Sequence, residues 1–272
     1  MGDFELDTRI AGSDGRYTAE LSPDWAIWGP NGGYVATIAL RAAGREAAIP
    51  RPVSFSCHFL SVARFESVEL RVTCVRRGRR AESLEVHMSQ DGRAILCGLL
   101  RTASEVPGLT HDATRPPEVP EPESLKTWAE LFPDAPSPYP FWENIEGKPI
   151  DPGVTTGPPE PRPPALRQWN RFTPSATFED PFVDAGRALL LLDTMGWPAA
   201  SRPHPDAKFQ APNLDVTAWF HRADPGEPWL LSDHEGAVAI GGLMSASGRI
   251  WNRRGQLLAS GGAQLMCVPV SA

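Results

Sequence analysis

The chain has 272 residues, a formal net charge of −7 and 41% hydrophobic residues. This composition excludes a disordered chain and a collagen-like repeat. A helix that crosses a bilayer needs about 20 consecutive apolar residues, and no apolar run in the sequence is nearly that long. The acidic balance gives no electrostatic footprint for nucleic acid. Four widely spaced cysteines and a start without the signature of a signal peptide predict a cytoplasmic protein with reduced thiols.

The first hundred residues predict a strand, an apolar helix and then four further strands. The alternation of apolar and polar residues has a period of two in the middle strands. Asp91 and Gly92 predict a type I′ hairpin turn, because both residue types accept the positive φ that this turn requires. The predicted elements are the strand at 16–21, the helix at 34–43 and the strands at 53–60, 68–75, 81–88 and 94–100.

Proline divides the chain, since 16 of its 29 prolines lie between Pro107 and Pro164. Proline fixes φ and removes a backbone donor, so this stretch is a poor helix and cannot form a central strand. We therefore predict a surface linker over 104–164, with one short helix at 124–132 that begins at Ser124 as its N-cap.

The second flank repeats the order of the first, with a strand, a loop, an apolar helix and about four strands. A helix that is apolar nearly all round must be covered on most sides, and an antiparallel sheet wrapped around it meets that demand. We predict an α+β fold with two such halves, 1–103 and 165–272, joined edge to edge into one continuous sheet. The predicted elements are the strand at 166–172, the helix at 181–193 and the strands at 214–220, 229–235, 246–251 and 257–267.

Three segments resemble the acyl-CoA thioesterase II family. A Gly-Gly pair opens the first helix at 31–34, a Leu-Asp strand runs into Trp-Phe-His-Arg at 214–222, and a Gly-Arg hairpin ends in Leu-x-Ala-Ser at 248–260. The resemblance implies the double hot-dog fold, an acyl-CoA substrate, no cofactor, and assembly into a homo-oligomer. It covers both flanks and not the linker.

The family holds its attacking water with an Asp, a hydroxyl side chain and a Gln. Asp215 matches the Asp, Ala237 stands at the hydroxyl position, and Ala263 stands at the Gln position with Gln264 one residue later. A slip of one residue on a strand sends a side chain to the other face unless a bulge restores it. The resemblance implies that Asp215 holds the water, with Gln264 as its partner. The alternative for Asp215 is an Asp at a strand end that bonds to its own turn, and the alternative for Gln264 is a side chain that faces solvent.

The helix start predicts the place where the thioester carbonyl is polarised. Backbone amides at a helix N-terminus lack intrahelical partners and favour negative charge, so Gly33 and Tyr34 are the predicted donors, with Asn31 and Gly32 beside the substrate. The alternative is a tight turn with an Asn cap. Asp184, a second carboxylate candidate, is more typical of a first-turn helix residue.

Arg76, Arg77, Arg79 and Arg80 form the one concentrated basic cluster of an acidic chain. Guanidinium groups bind phosphate bidentately, which predicts a site for the phosphates of CoA; the alternative is a solvated hairpin tip. The histidines and cysteines lack metal-ligand spacing, so no metal site is predicted.

The sequence thus favours hydrolysis of fatty acyl-CoA by an activated water. One alternative is a non-catalytic protein that binds acyl-CoA and has lost the hydroxyl, as Ala237 suggests. The other is a hot-dog hydratase, which needs a His-Asp pair that the loop before the first helix lacks.

Overall fold

The computed structural model describes residues 1–135, 137, 139–153 and 160–270. Parts of the predicted linker, at 136, 138 and 154–159, lie outside the described residues. Within the described ranges, no helix combines the length and the apolarity that a membrane crossing requires.

Strands are the main regular element of the described residues, and two of the five α-helices are long. The helices are α1 (Phe4–Asp7), α2 (Gly32–Glu46), α3 (Trp128–Leu131), α4 (Pro181–Thr194) and α5 (Gly196–Ala200). The strands are β1 (Ala11–Ser13), β2 (Arg16–Glu20), β3 (Pro52–Phe59), β4 (Ser67–Arg77), β5 (Ala81–Gln90), β6 (Arg93–Ala103), β7 (Ile145–Pro149), β8 (Ala165–Phe172), β9 (Phe209–Gln210), β10 (Asn213–Phe220), β11 (Leu230–Ile240), β12 (Leu243–Trp251), β13 (Leu257–Met266) and β14 (Val268–Pro269).

Twelve strands form one antiparallel sheet whose order reads the same from either edge. The order is β1-β2-β4-β5-β6-β3-β10-β13-β12-β11-β8-β7, so the six strands from β1 to β3 mirror the six from β7 to β10, with β7 of the proline-rich segment in the place equivalent to β1. The halves meet where β3 pairs with β10. The predicted arrangement of two sheets joined into one, each with a helix against its own strands, is confirmed, and the sheet remains open at β1 and β7.

The two long helices pack against each other between the halves, in opposite directions. Gly33, at the start of α2, lies against Leu190 near the end of α4, and Gly44, near the end of α2, lies against the ring of Phe182 at the start of α4. A Cβ on Gly33 would lie 2.6 Å from the Leu190 Cα, so glycine allows this close approach. The start of α2 is therefore enclosed by the end of α4.

The proline-rich segment contributes more than the linker we predicted. Its strand β7 forms an edge of the sheet beside β8, a position that tolerates proline. The short helix α3 begins after Thr127, which forms a capping box with Glu130, whereas Ser124 ends a separate 3₁₀ turn; Ser124 is therefore not the N-cap. The boundaries 1–103, 104–164 and 165–272 stay predictions.

The hairpin turn between β5 and β6 has the predicted geometry. Asp91 and Gly92 have φ values of 50° and 76°. Both values are positive, as the type I′ turn requires.

Candidate active site

A cluster of polar groups lies where the start of α2, the end of α4 and the start of β10 meet. The Gly33 N–H donates to the Asp193 Oδ2 at 2.6 Å. The Asn213 Nδ2 donates to the Asp193 Oδ1 at 2.5 Å and to its backbone oxygen at 2.8 Å. The Asn31 Nδ2 donates to the Thr194 Oγ1 at 2.9 Å. One buried carboxylate thus connects both helices to the central strand.

Asp193 has an unusual environment for a carboxylate. Its side chain is buried, and this burial raises the pKa of Asp193 to about 6, while the hydrogen bonds from Asn213 and Gly33 oppose the rise. The raised pKa brings Asp193 close to the pH at which most enzymes work, which suits a group that accepts and returns a proton. The sequence analysis missed this residue; its signal is a lone acid directly after four consecutive leucines.

The two amides predicted to polarise a carbonyl already have acceptors. The Gly33 N–H donates to Asp193, and the Tyr34 N–H donates to the Asn31 Oδ1 at 2.9 Å, so Asn31 is the N-cap of α2. At Gly32 a Cβ would lie about 3 Å from both carboxylate oxygens of Asp193. A substrate carbonyl at these amides must therefore replace one of these two acceptors.

Asp215 and Gln264 lie together on neighbouring strands. They are opposite each other in β10 and β13, and the Gln264 N–H donates to the Asp215 Oδ1 at 3.2 Å. A bulge at this point of β10 leaves Leu214 without a partner. Val216 is fully buried in the core between sheet and helices, so the strand alternation directs Asp215 to the other face of the sheet. Within the described residues, no side-chain hydrogen bond joins this pair to Gly33 or Tyr34.

The positions equivalent to the family's hydroxyl and Gln carry no polar side chain. Ala263 is buried with Ala200 and Ala246 in a small apolar cluster, on the sheet face opposite to Gln264. Ala237 lies in an irregular part of β11, where the register with β12 shifts between Glu235 and Val238. Gln264 therefore lies on the face of β13 opposite to this buried cluster.

Arg76, Arg79 and Arg80 of the β4–β5 hairpin line a cleft of about 510 Å³ together with Arg101. Arg77 does not line this cleft, because its Nε pairs with Glu82 at 2.7 Å and its Nη2 donates to the backbone oxygen of Glu46 at 2.6 Å. Glu46 ends α2, so Arg77, which lies next to this cleft in sequence, contacts the end of that helix about 20 Å from Gly33 at 1.5 Å per residue. Phosphate binding by this cluster stays a prediction.

The second predicted carboxylate, Asp184, is part of a buried structural network. It pairs with Arg187 one turn later in α4. Arg187 also donates to the backbone oxygens of Ala176 and Glu227, each at 2.7 Å. This network fixes the loop after β10 against α4. Within the described ranges, no group of three or more His, Cys, Asp or Glu side chains is arranged to hold a metal ion.

Comparison with solved structures defines the class of this fold. The chain matches a thioesterase II from Thermobifida fusca (23% identity, 98% of each chain, TM-score 0.81) and an acyl-CoA thioesterase II from Mycobacterium marinum (20% identity, 99% of each chain, TM-score 0.80). It also matches a hot-dog protein from Alicyclobacillus acidocaldarius (19% identity, 98% of each chain, TM-score 0.83). The palindromic sheet around two helices is therefore a double hot-dog fold, as predicted.

The family models then identify the particular family. An acyl-CoA thioesterase N-terminal domain matches residues 21–103, and an acyl-CoA thioesterase C-terminal domain matches residues 113–268. The chain belongs to the acyl-CoA thioesterase family, which confirms the resemblance seen in the sequence. A search of curated proteins found no match.

Proposed function

We propose that this protein hydrolyses fatty acyl-CoA thioesters with a water molecule activated at the start of α2. Membership of the acyl-CoA thioesterase family supports the substrate class and the reaction. The observation that carries the proposed location is the buried Asp193 carboxylate bonded to the Gly33 amide at 2.6 Å. A proton acceptor and a carbonyl-polarising donor are thus within one hydrogen bond of each other.

In the proposed reaction the thioester oxygen replaces Asp193 as the acceptor of the Gly33 N–H. The N-terminus of α2 then stabilises the negative charge that develops on this oxygen. The released carboxylate of Asp193 accepts a proton from water as the water oxygen bonds to the acyl carbon. The carbon–sulfur bond breaks, and the proton passes to the CoA thiolate, which leaves a carboxylic acid and CoA.

The surroundings of this helix start suit an acyl chain. Trp28, in the loop before α2, and Leu60 and Val62, in the loop after β3, are large apolar side chains exposed to solvent. The Val62 Cγ1 lies 3.0 Å from the position that a Cβ at Gly29 would occupy, so the two loops touch. An apolar rim beside the carbonyl donors favours a substrate with a hydrocarbon tail.

The family-derived assignment gives the water to Asp215 and Gln264 instead. These residues lie opposite each other and are partly exposed on the outer face of the sheet. The two assignments predict different outcomes for two conservative substitutions, because an Asp→Asn change removes the proton acceptor and keeps the shape of the side chain.

The test is release of free thiol from a panel of acyl-CoAs by the wild type, Asp193→Asn, Asp215→Asn and the exposed control Asp206→Asn. We expect the wild type and Asp206→Asn to release thiol, and Asp193→Asn to lose kcat by two orders of magnitude or more. Activity that survives in Asp193→Asn and disappears in Asp215→Asn would assign the water to the outer face. Size-exclusion chromatography of the same samples tests the predicted homo-oligomer.

A non-catalytic acyl-CoA-binding protein is the second candidate, favoured by the two alanines at family catalytic positions, Ala237 and Ala263. Binding without hydrolysis raises the melting temperature and releases no thiol. A rise in melting temperature with acyl-CoA, with no thiol released from any member of the panel, would establish this candidate and reject hydrolysis.

A further inference from the structure

We propose that a second cleft, between the segment at 111–115 and the strand ends near Phe220, Trp251 and Leu257, binds an organic phosphate with two phosphate groups and an aromatic base. This cleft, here called the linker cleft, has a volume of about 900 Å³. Four arginines line it, and the side chains used in the argument are Arg51, Arg115, Arg222, Arg249, Phe220 and Trp251.

The charge of the linker cleft is strongly positive for a protein with a net charge of −7. Asp112 is the one acid among its lining residues. This carboxylate accepts hydrogen bonds from the Thr114 N–H and hydroxyl and pairs with Arg222 at 2.9 Å. Among the residues that the structure describes, Arg51, Arg115 and Arg249 have no carboxylate partner. Three guanidinium groups therefore remain to bind an anion.

The floor of the cleft offers apolar contact and one free donor. Phe220 is partly buried, whereas Trp251 is buried, and its indole N–H has no hydrogen-bond acceptor in the described part of the chain. A buried donor without an acceptor costs free energy, and a ligand oxygen would remove that cost. An anion with an aromatic moiety fits this combination better than a small inorganic ion does.

The strands hold part of the site in place. Arg249 lies on β12 opposite Ser260 of β13, and the Ser260 hydroxyl is 2.9 Å from the His221 Nε2. Donors on paired strands are more rigid than donors on a free loop, which lowers the entropy cost of binding. The sheet therefore presents these groups in a fixed arrangement.

The linker cleft is separate from the proposed hydrolytic site. Phe220 ends β10 and Asn213 begins it, so the two sites are about 23 Å apart at 3.3 Å per residue. The ligand chemistry is that of a nucleoside diphosphate, and it has two sources: a free nucleotide or the nucleotide end of CoA. Binding is measured directly, so this proposal does not depend on hydrolysis.

The experiment is isothermal titration of ADP, pyrophosphate and adenosine into the wild type at low salt. The cleft variant is Arg51→Ala with Arg249→Ala, and the matched control is Arg16→Ala with Arg71→Ala, two exposed arginines that lie opposite each other on β2 and β4. We expect ADP to bind more tightly than pyrophosphate, adenosine not to bind, and the cleft variant to lose at least tenfold in affinity. The control keeps wild-type affinity, and circular dichroism verifies that both variants fold.

Two results would overturn the proposal: no binding of ADP by the wild type, or loss of binding in the control variant while the cleft variant keeps wild-type affinity. Competition identifies the source of the ligand. Displacement of ADP by CoA supports the nucleotide end of CoA, and binding of ADP that CoA does not displace supports a free nucleotide.

Discussion

Asp193 makes the stability of the folded protein depend on pH in a direction that can be calculated. Burial raises its pKa from 3.8 to about 6. Between these two values the folded state keeps the proton that the unfolded state has lost, so wild-type stability falls as the pH rises from about 4 to about 6. A shift of about two pKa units corresponds to about 3 kcal/mol. Above pH 6 the folded protein carries this full penalty.

Replacement of Asp193 by Asn removes the charge and with it the penalty. The new amide nitrogen would face the Asn213 Nδ2, so one hydrogen bond worth about 1 kcal/mol is lost. We expect Asp193→Asn to be less stable than the wild type by about 1 kcal/mol at pH 4 and more stable by about 2 kcal/mol at pH 8. Urea denaturation at both pH values measures this reversal, with Asp206→Asn as a control. A wild-type–variant difference that stays constant from pH 4 to 8 would refute the reasoning.

Two further substitutions test the packing around the site. Gly33→Ala places a Cβ 2.6 Å from the Leu190 Cα, and we expect a loss of about 1–3 kcal/mol in the free energy of unfolding, whereas Gly108→Ala, with open space around it, changes little. Equal melting temperatures for the two variants would contradict this close packing. Arg187→Leu leaves Asp184 buried without its ion-pair partner and should cost about 3–5 kcal/mol, measured by urea denaturation; a loss below about 1 kcal/mol would contradict a stabilising role for this pair.

The fold could be predicted because its signals are local and occur twice. Alternation identifies strands such as β4 and β5, and the Asp91-Gly92 turn predicts that β6 pairs with β5. The apolar stretches identify α2 and α4. The repeat of this order on both sides of the prolines then indicates two halves that share a sheet. Strand β7 was missed, because an edge strand of five residues that ends in proline has no clear pattern.

The candidate site was harder to predict because it depends on contacts between distant segments. Gly33 and Asp193 are 160 residues apart in sequence, and their hydrogen bond exists only because α2 and α4 run in opposite directions. The face on which Asp215 lies depends on a bulge that adds one residue to β10. Motif spacing finds Asp215 and Gly33 separately, but it cannot determine whether they lie on the same side of a sheet.

The palindromic order of the sheet also determines how many sites one chain can offer. Two identical halves would present two equivalent helix starts, but here they differ. The start of α2 has two glycines, whereas α4 begins with Asp180 and Pro181, and the Asp180 carboxylate already accepts the N–H groups of Phe182 and Val183. The two helix starts of one chain are therefore not equivalent, and we expect a stoichiometry of one thioester per chain.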